Sequence, residues 1–285
     1  MLEKSSMSTA FLFPGQGSQK IGMGADLFDA FPDEVALASE SLGYSVKELC
    51  LEGPEEKLGQ TQFTQPALYA VSFLQAMFRK QEQGMPAMAA GHSVGEFAAL
   101  AFAEVFSFED GLKMVAKRGQ IMSEVVGGAM AAVIGLDEAG IRKALTEQGL
   151  EAIDLANFNS PGQIVISGPA AEITESLVPI KEAGAKLVVP LKVSGAFHSR
   201  MMEEPAQKFA EFLQGFTFNS PVISVFANVT AAPYADASLI ADTLVRQIHS
   251  PVRWTDTILG MRKAGVVTFE ECGPGKVLSK LLRQI

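Results

Sequence analysis

The chain is poor in the residues that build metal clusters and cross-links. Its two cysteines, Cys50 and Cys272, belong to no CxxC or Cys/His ligand spacing, so no metal is expected and free thiols in a reducing compartment are favoured over a disulfide. Histidine occurs three times in 285 residues, leaving acid–base chemistry few candidate bases. Lys and Arg form no long run, and the formal charge of −9 disfavours an electrostatic nucleic-acid footprint. The apolar run Ala10 to Phe13, cut short by Pro14, is too brief for a signal-peptide core or a membrane span. A cytoplasmic protein with no membrane and no nucleic-acid partner is expected, with Met7 a candidate start. What is abundant is apolar content, 48% of residues, enough for a substantial core.

Repeats and low-complexity tracts are also missing, and short apolar runs alternate with longer segments of helical period. That alternation predicts an α/β protein. Ala10 to Phe13 reads as a strand ending in "PGQGSQ", and residues 64–81 as a helix with Pro66 in its first turn. Met88 to Ala90 reads as a strand, followed by helices over 94–103 and 108–124. From Gly127 the order becomes β-α-β-β-α-β, through "AMAAVIGL", "AIDLAN", "QIVISG" and "AKLVVPL" with helices between, the ferredoxin-like arrangement. The expected organisation is a discontinuous large domain, residues 1–126 and 195–285, carrying an inserted subdomain over 127–194. Beyond it, helices are read near 201–215 and 238–248, strands at "VISVFAN" and "VVTFEEC", and a last helical piece after Gly275.

The stretch "GHSVGEF" places Ser93 between Gly91 and Gly95 where a strand gives way to a helix. In that context GxSxG suggests a nucleophile elbow, with the Val94 N–H facing charge that grows on a bound carbonyl. A serine capping a tight turn accounts for the pentapeptide equally well. A nucleophilic serine needs a base. His92 adjoins Ser93, so its side chain is expected to point away and brace the elbow or line the pocket; His249 reads as a loop residue. His198, in "VSGAFHSRM" where the chain leaves the subdomain, is the best candidate base, against a structural role. "FPGQGSQ" can present the Gln16 N–H as a second oxyanion donor, and it lacks the spacing of a nucleotide-phosphate loop. Arg118, in "KRGQIM", reads either as an exposed helix residue or as a fork that grips a carboxylate.

Taken in order, "FPGQGSQ", "TQFTQPALYA", "GHSVGEFAAL", "KRGQIM", "GGAMAAVIGL", "NFNSPGQIVISG", "VSGAFHS", "SPVRW" and "ECGPGKVL" resemble the malonyl-CoA:acyl-carrier-protein transacylases, including the free-standing acyltransferases of polyketide synthases. The resemblance implies an α/β-hydrolase-like large domain with a ferredoxin-like subdomain. It implies Ser93 as nucleophile, His198 as base, the Gln247 main-chain carbonyl in place of a triad carboxylate, and an oxyanion hole from the Gln16 and Val94 N–H groups. Arg118 would bind the malonyl carboxylate; Asn157 and Asn159 match residues near the pantetheine arm; His92, Phe197 and Met122 would shape the pocket. Phe197 is bulky where methylmalonyl-accepting relatives tend to carry a smaller residue, which favours malonyl. The implied partners are malonyl-CoA and phosphopantetheinylated acyl carrier protein, the implied state is a monomer, and no permanently bound cofactor is called for. The alternative is an editing thioesterase using the same Ser93 and His198, against which Arg118 argues because hydrolytic relatives often lack it.

Overall fold

The computed structural model describes residues 9–193 and 195–285; the candidate start at Met7 and the expected domain boundary at residue 194 lie outside them. The chain begins with β1 (Thr9–Phe13), four short helices, α1 (Ala25–Phe28), α2 (Pro32–Leu42), α3 (Val46–Leu51) and α4 (Glu55–Leu58), and the long α5 (Thr61–Gln83). Then come β2 (Met88–Gly91), α6 (Gly95–Phe102) and α7 (Phe108–Ser123). The central block is β3 (Gly128–Ile134), α8 (Glu138–Glu147), β4 (Asp154–Ser160), β5 (Gln163–Pro169), α9 (Ala170–Glu182) and β6 (Leu187–Pro190). The chain ends with α10 (Glu203–Leu213), β7 (Ser224–Phe226), α11 (Ile240–His249), α12 (Trp254–Lys263), β8 (Thr268–Glu271) and α13 (Val277–Leu282).

The first sheet is parallel, in the order β7-β2-β1-β8. Its central strands β1 and β2 are apolar but for Thr9, and period-2 alternation divides the sheet's buried side chains between two cores. Phe11 and Phe13 join Ala89 and Val225 in the core shared with α5, α6 and α7, while Ala10 and Leu12 join Ala90, Phe226, Trp254 and Ile258 on the side of α12 and α13. Helices α5 and α7 approach closely because Gly111 and Gly119 present no Cβ. One at 111 would lie 2.1 Å from the Tyr69 hydroxyl, and one at 119 would lie 2.9 Å from the Thr61 carbonyl oxygen.

The second sheet is antiparallel, in the order β4-β5-β3-β6, and with α8 and α9 it forms the ferredoxin-like unit read from the sequence. One face packs Ala131, Val133, Leu155 and Ile166 under the two helices; the other sends Met130, Ala132, Ala156 and Val165 into the core of the large domain. Main-chain bonds join the units: Val252 N–H donates to the Ala156 carbonyl and Phe158 N–H to the Val252 carbonyl, both at 2.9 Å.

Two expectations change, and several helices are added that none foresaw. Helix α5 starts at Thr61, so Pro66 lies inside the helix and not in its first turn. The helices between residues 25 and 58 and helix α12 carried no reading from the sequence; α1 and α4 are single turns, and α12 opens at Arg253 without a side-chain cap. The helix read over 201–215 is a 3-10 turn, Arg200–Met202, followed by α10.

Candidate active site

Because β1 and β2 are parallel neighbours, the loops that follow them leave the sheet at the same edge, the usual place for a ligand in an open α/β sheet. The loop after β1 carries Gln16 and the turn after β2 carries Ser93; His92 N–H donates to the Phe13 carbonyl at 2.8 Å, tying one to the other. The glycines of GxSxG are required by contact. A Cβ on Gly91 would sit 1.9 Å from the Gly95 carbonyl carbon, and one on Gly95 would sit 2.1 Å from the Phe13 carbonyl oxygen. Ser93 itself adopts φ 52, the left-handed region that a non-glycine residue occupies only when its surroundings enforce it.

A cavity of about 360 Å³ opens over this edge. The large domain lines it with Gln16, Gln65, His92, Ser93, Val94, Arg118, Met122, Phe197 and His198; the subdomain side adds Met130, Asn157, Leu191, Lys192 and Val193. Within it the Ser93 hydroxyl lies 2.8 Å from His198 Nε2 and accepts from Arg118 Nη2 at 3.1 Å. His198 Nδ1 faces two carbonyl oxygens, Gln247 at 2.8 Å and Ser250 at 3.2 Å. Carbonyls only accept, so Nδ1 carries the proton and Nε2 offers its lone pair to the Ser93 hydroxyl. Like Ser93, His198 has positive φ, at 58.

Burial sets the charges. His198 is withdrawn from solvent, and that desolvation, helped by the nearby Arg118 guanidinium, pushes its pKa down to about 3, so the imidazole is neutral. Arg118 is 1% exposed, which excludes the exposed-helix reading. Burial lowers its pKa to about 10, opposed by the Glu96 carboxylate, and it keeps its charge at neutral pH. Its Nη1 donates to Gln65 Oε1 at 2.8 Å and its Nη2 also donates to Gln247 Oε1 at 2.9 Å.

His92 points away from Ser93: its Nε2 pairs with Asn159 Oδ1 at 2.8 Å, and its ring lies 5.5 Å from that of Trp254. Asn157 and Asn159 share the face of β4 turned to the large domain, but only Asn157 lines the cavity, Asn159 being engaged with His92. Met122 lines the cavity with its sulfur accepting from Gln65 Nε2 at 3.6 Å. His249 ends α11, away from the cavity lining. Cys50 and Cys272 are buried and free, with burial pushing the Cys50 thiol up to about 12. Among the described residues no group of His, Cys, Asp and Glu is placed to hold a metal ion, and no helix is long and apolar enough to cross a membrane.

Sequence reasoning missed Gln65, Asn228, Ser250 and Glu96. Asn228 Oδ1 accepts the Ser93 N–H at 2.7 Å, yet it sits outside any motif. Gln65 was within reach of periodicity, since it lies in the "TQFTQPALYA" block on the buried side of α5.

Comparison with known proteins gives this constellation a family. The family described as "Acyl transferase domain" matches residues 10–284. The chain belongs to it. Among acyltransferase relatives, the polyketide biosynthesis malonyl CoA-acyl carrier protein transacylase PksC of Bacillus subtilis is 49% identical over 278 residues, covering 96% of each chain. The polyketide biosynthesis protein ThaF of Burkholderia thailandensis is 52% identical over 277 residues, where this chain corresponds to 24% of that longer protein. A solved malonyl CoA-acyl carrier protein transacylase of Burkholderia pseudomallei superposes with a TM-score of 0.93 at 44% identity, covering 98% of this chain and 97% of that one. Its likeness includes the α/β-hydrolase-like large domain and the ferredoxin-like subdomain expected from the sequence.

Proposed function

We propose that the protein transfers malonyl groups from malonyl-CoA to the phosphopantetheine thiol of acyl carrier protein through a malonyl ester on Ser93. One observation carries this reading: a serine hydroxyl meets a neutral imidazole at 2.8 Å and a buried guanidinium at 3.1 Å inside one cavity. Nucleophile, base and carboxylate receptor are the three groups that a dicarboxylic thioester needs.

In the first half-reaction His198 Nε2 takes the hydroxyl proton as Ser93 Oγ attacks the thioester carbonyl, and the oxyanion is met by the Gln16 and Val94 N–H groups. The C–S bond then breaks, His198 returns the proton to the departing coenzyme A thiol, and malonyl-Ser93 remains. In the second, His198 takes the proton of the carrier-protein thiol, the sulfur attacks the ester, and the proton goes back to Ser93 Oγ, a ping-pong sequence. The carbonyls of Gln247 and Ser250 hold the imidazole in the required tautomer and favour its transient positive charge. Arg118 receives the free carboxylate; Met122 and Phe197 bound the acyl pocket, His92 braces its wall, and Asn157 and Asn159 stand on the side where the pantetheine arm would enter. Residues 127–194 serve as the second wall of the cleft; the support is that Met130, Asn157, Leu191 and Val193 face the Ser93 side.

The test is the fate of radiolabelled malonyl-CoA in the presence of holo carrier protein. Label on the carrier thiol is expected, abolished by Ser93→Ala and His198→Ala with losses of several orders of magnitude. Release of free malonate with none on the carrier would identify a thioesterase instead.

A further inference from the structure

Glu96 is the only acidic side chain among the described residues that is wholly withdrawn from solvent, and the transfer mechanism routes no proton through it. It follows Ser93 by one helical turn and gathers donors from two separate segments, the loop after β7 and helix α11. Tyr234 donates its phenol to Oε1; Gln247 Nε2 and the Asn228 N–H donate to Oε2 at 2.6 and 3.2 Å.

Two of these partners lead straight to the reacting pair. Asn228 accepts the Ser93 N–H at 2.7 Å and donates Nδ2 to the Gly91 carbonyl at 2.6 Å, clamping both sides of the elbow. Gln247 Nε2 also donates to the Ser93 carbonyl at 2.9 Å, its Oε1 accepts from Arg118, and its main-chain carbonyl accepts from His198 Nδ1. A Gln247 amide rotated by half a turn would set its NH₂ against the guanidinium and its oxygen against the carboxylate. The lone pairs of Glu96, together with the Ser93 carbonyl and the Arg118 guanidinium, therefore fix which way that amide lies.

We propose that Glu96 is a positioning residue that, through Gln247 and Asn228, holds the Ser93 elbow, the His198 ring and the Arg118 fork as one unit and supplies the buried counter-charge to Arg118. Burial raises the carboxyl to about 7 against the pull of its hydrogen bonds and of Arg118. The charged and titratable groups facing it are Arg118 from α7 and the Tyr234 phenol, with His198 beyond Gln247.

This rests on the acyltransferase reading, and the experiment keeps the two apart. Ser93 is labelled with a fluorophosphonate, which needs only a reactive serine, and malonyl transfer is followed in parallel for the parent, Glu96→Gln and Tyr234→Phe. Glu96→Gln is expected to stay folded, to lose about 10- to 100-fold in both labelling rate and kcat, and to leave KM for malonyl-CoA nearly unchanged. Tyr234→Phe, which spares both Oε2 bonds, is expected to lose less, about three- to tenfold in kcat, and decides the matter should Glu96→Gln not fold. Parental labelling and kcat in the folded variants, or a rise confined to KM, would overturn the assignment. A parent that labels but transfers no malonyl group would sink the functional reading and leave the positioning role to be settled by the labelling rates.

Discussion

Arg118 lies close enough to His198 that its charge adds to burial in lowering the imidazole's proton affinity. With His198 lowered to about 3 by burial and then by Arg118, the acylation rate is expected to show no inflection at the ordinary histidine pKa near ~6.5. A pH profile of Ser93 acylation checks this, and Arg118→Ala, which lifts the guanidinium's effect, is expected to move the acid limb upward. The same variant is expected to cost malonyl acylation about 2–5 kcal/mol in kcat/KM, and acetyl acylation much less, as measured by competing malonyl-CoA and acetyl-CoA. Stability has a definite sign too. Below ~6.5 the unfolded chain binds a proton that folded His198 refuses, so stability falls as pH drops toward 3. Glu96, raised to about 7, has the opposite slope between 4.5 and 7, since there the folded chain holds the extra proton. The difference in Tm between parent and His198→Gln isolates the histidine: the variant is expected to lose less on acidification. Of these residues, GxSxG and the scarcity of histidine made Ser93 and His198 candidates, each against a structural alternative, and the structure brings their side chains to 2.8 Å. The sequence left Arg118 between an exposed residue and a carboxylate fork, although it lies three positions from both Val115 and Ile121 on the apolar side of α7, where it is buried. Asn228 and Glu96 were not legible as site residues; each bridges elements far apart in sequence, and a single polar residue leaves no period.

At the scale of elements, the turn between β2 and α6 is shaped by what cannot fit. Gly91→Ala and Gly95→Ala drive a methyl into main-chain atoms at 1.9 and 2.1 Å, and each is expected to cost at least ~1–3 kcal/mol of stability. Gly162→Ala, with nothing within 4 Å of its added methyl, serves as the neutral control in the same urea titration. Strands β1 and β2 and the β-α-β-β-α-β block could be read because buried parallel strands are continuous apolar runs and the block alternates cleanly. The helices between residues 25 and 58 are short and mixed in polarity, with α1, α3 and α4 packing beside α5 and α2 against α7, and tertiary contact fixes them more than local pattern does. Pro66 misled the start of α5 for a related reason: proline marks a helix beginning often, but here the neighbouring turn Thr61–Gln65 is already buried in the helix.

Across the whole molecule, the cavity opens at the edge of the parallel sheet with Met130 and Asn157 of the antiparallel sheet on its other side, and main-chain bonds between Val252 and β4 join the two units. Trp254, the single tryptophan, is fully buried at that seam. Its fluorescence and the far-UV circular dichroism are therefore expected to report one coincident thermal transition, whereas separate transitions would mean the subdomain folds without the seam. Beside the seam, inside the large domain, an imidazole from the second half of the chain meets a hydroxyl from the first. Intact-protein mass measurement after a brief exposure to malonyl-CoA, followed by addition of holo carrier protein, tests the consequence most directly. The expected result is one malonyl group on the parent, absent from Ser93→Ala and cleared from the parent as the carrier gains it; a parent that stays unmodified, or a Ser93→Ala variant that still takes up malonyl, would contradict it.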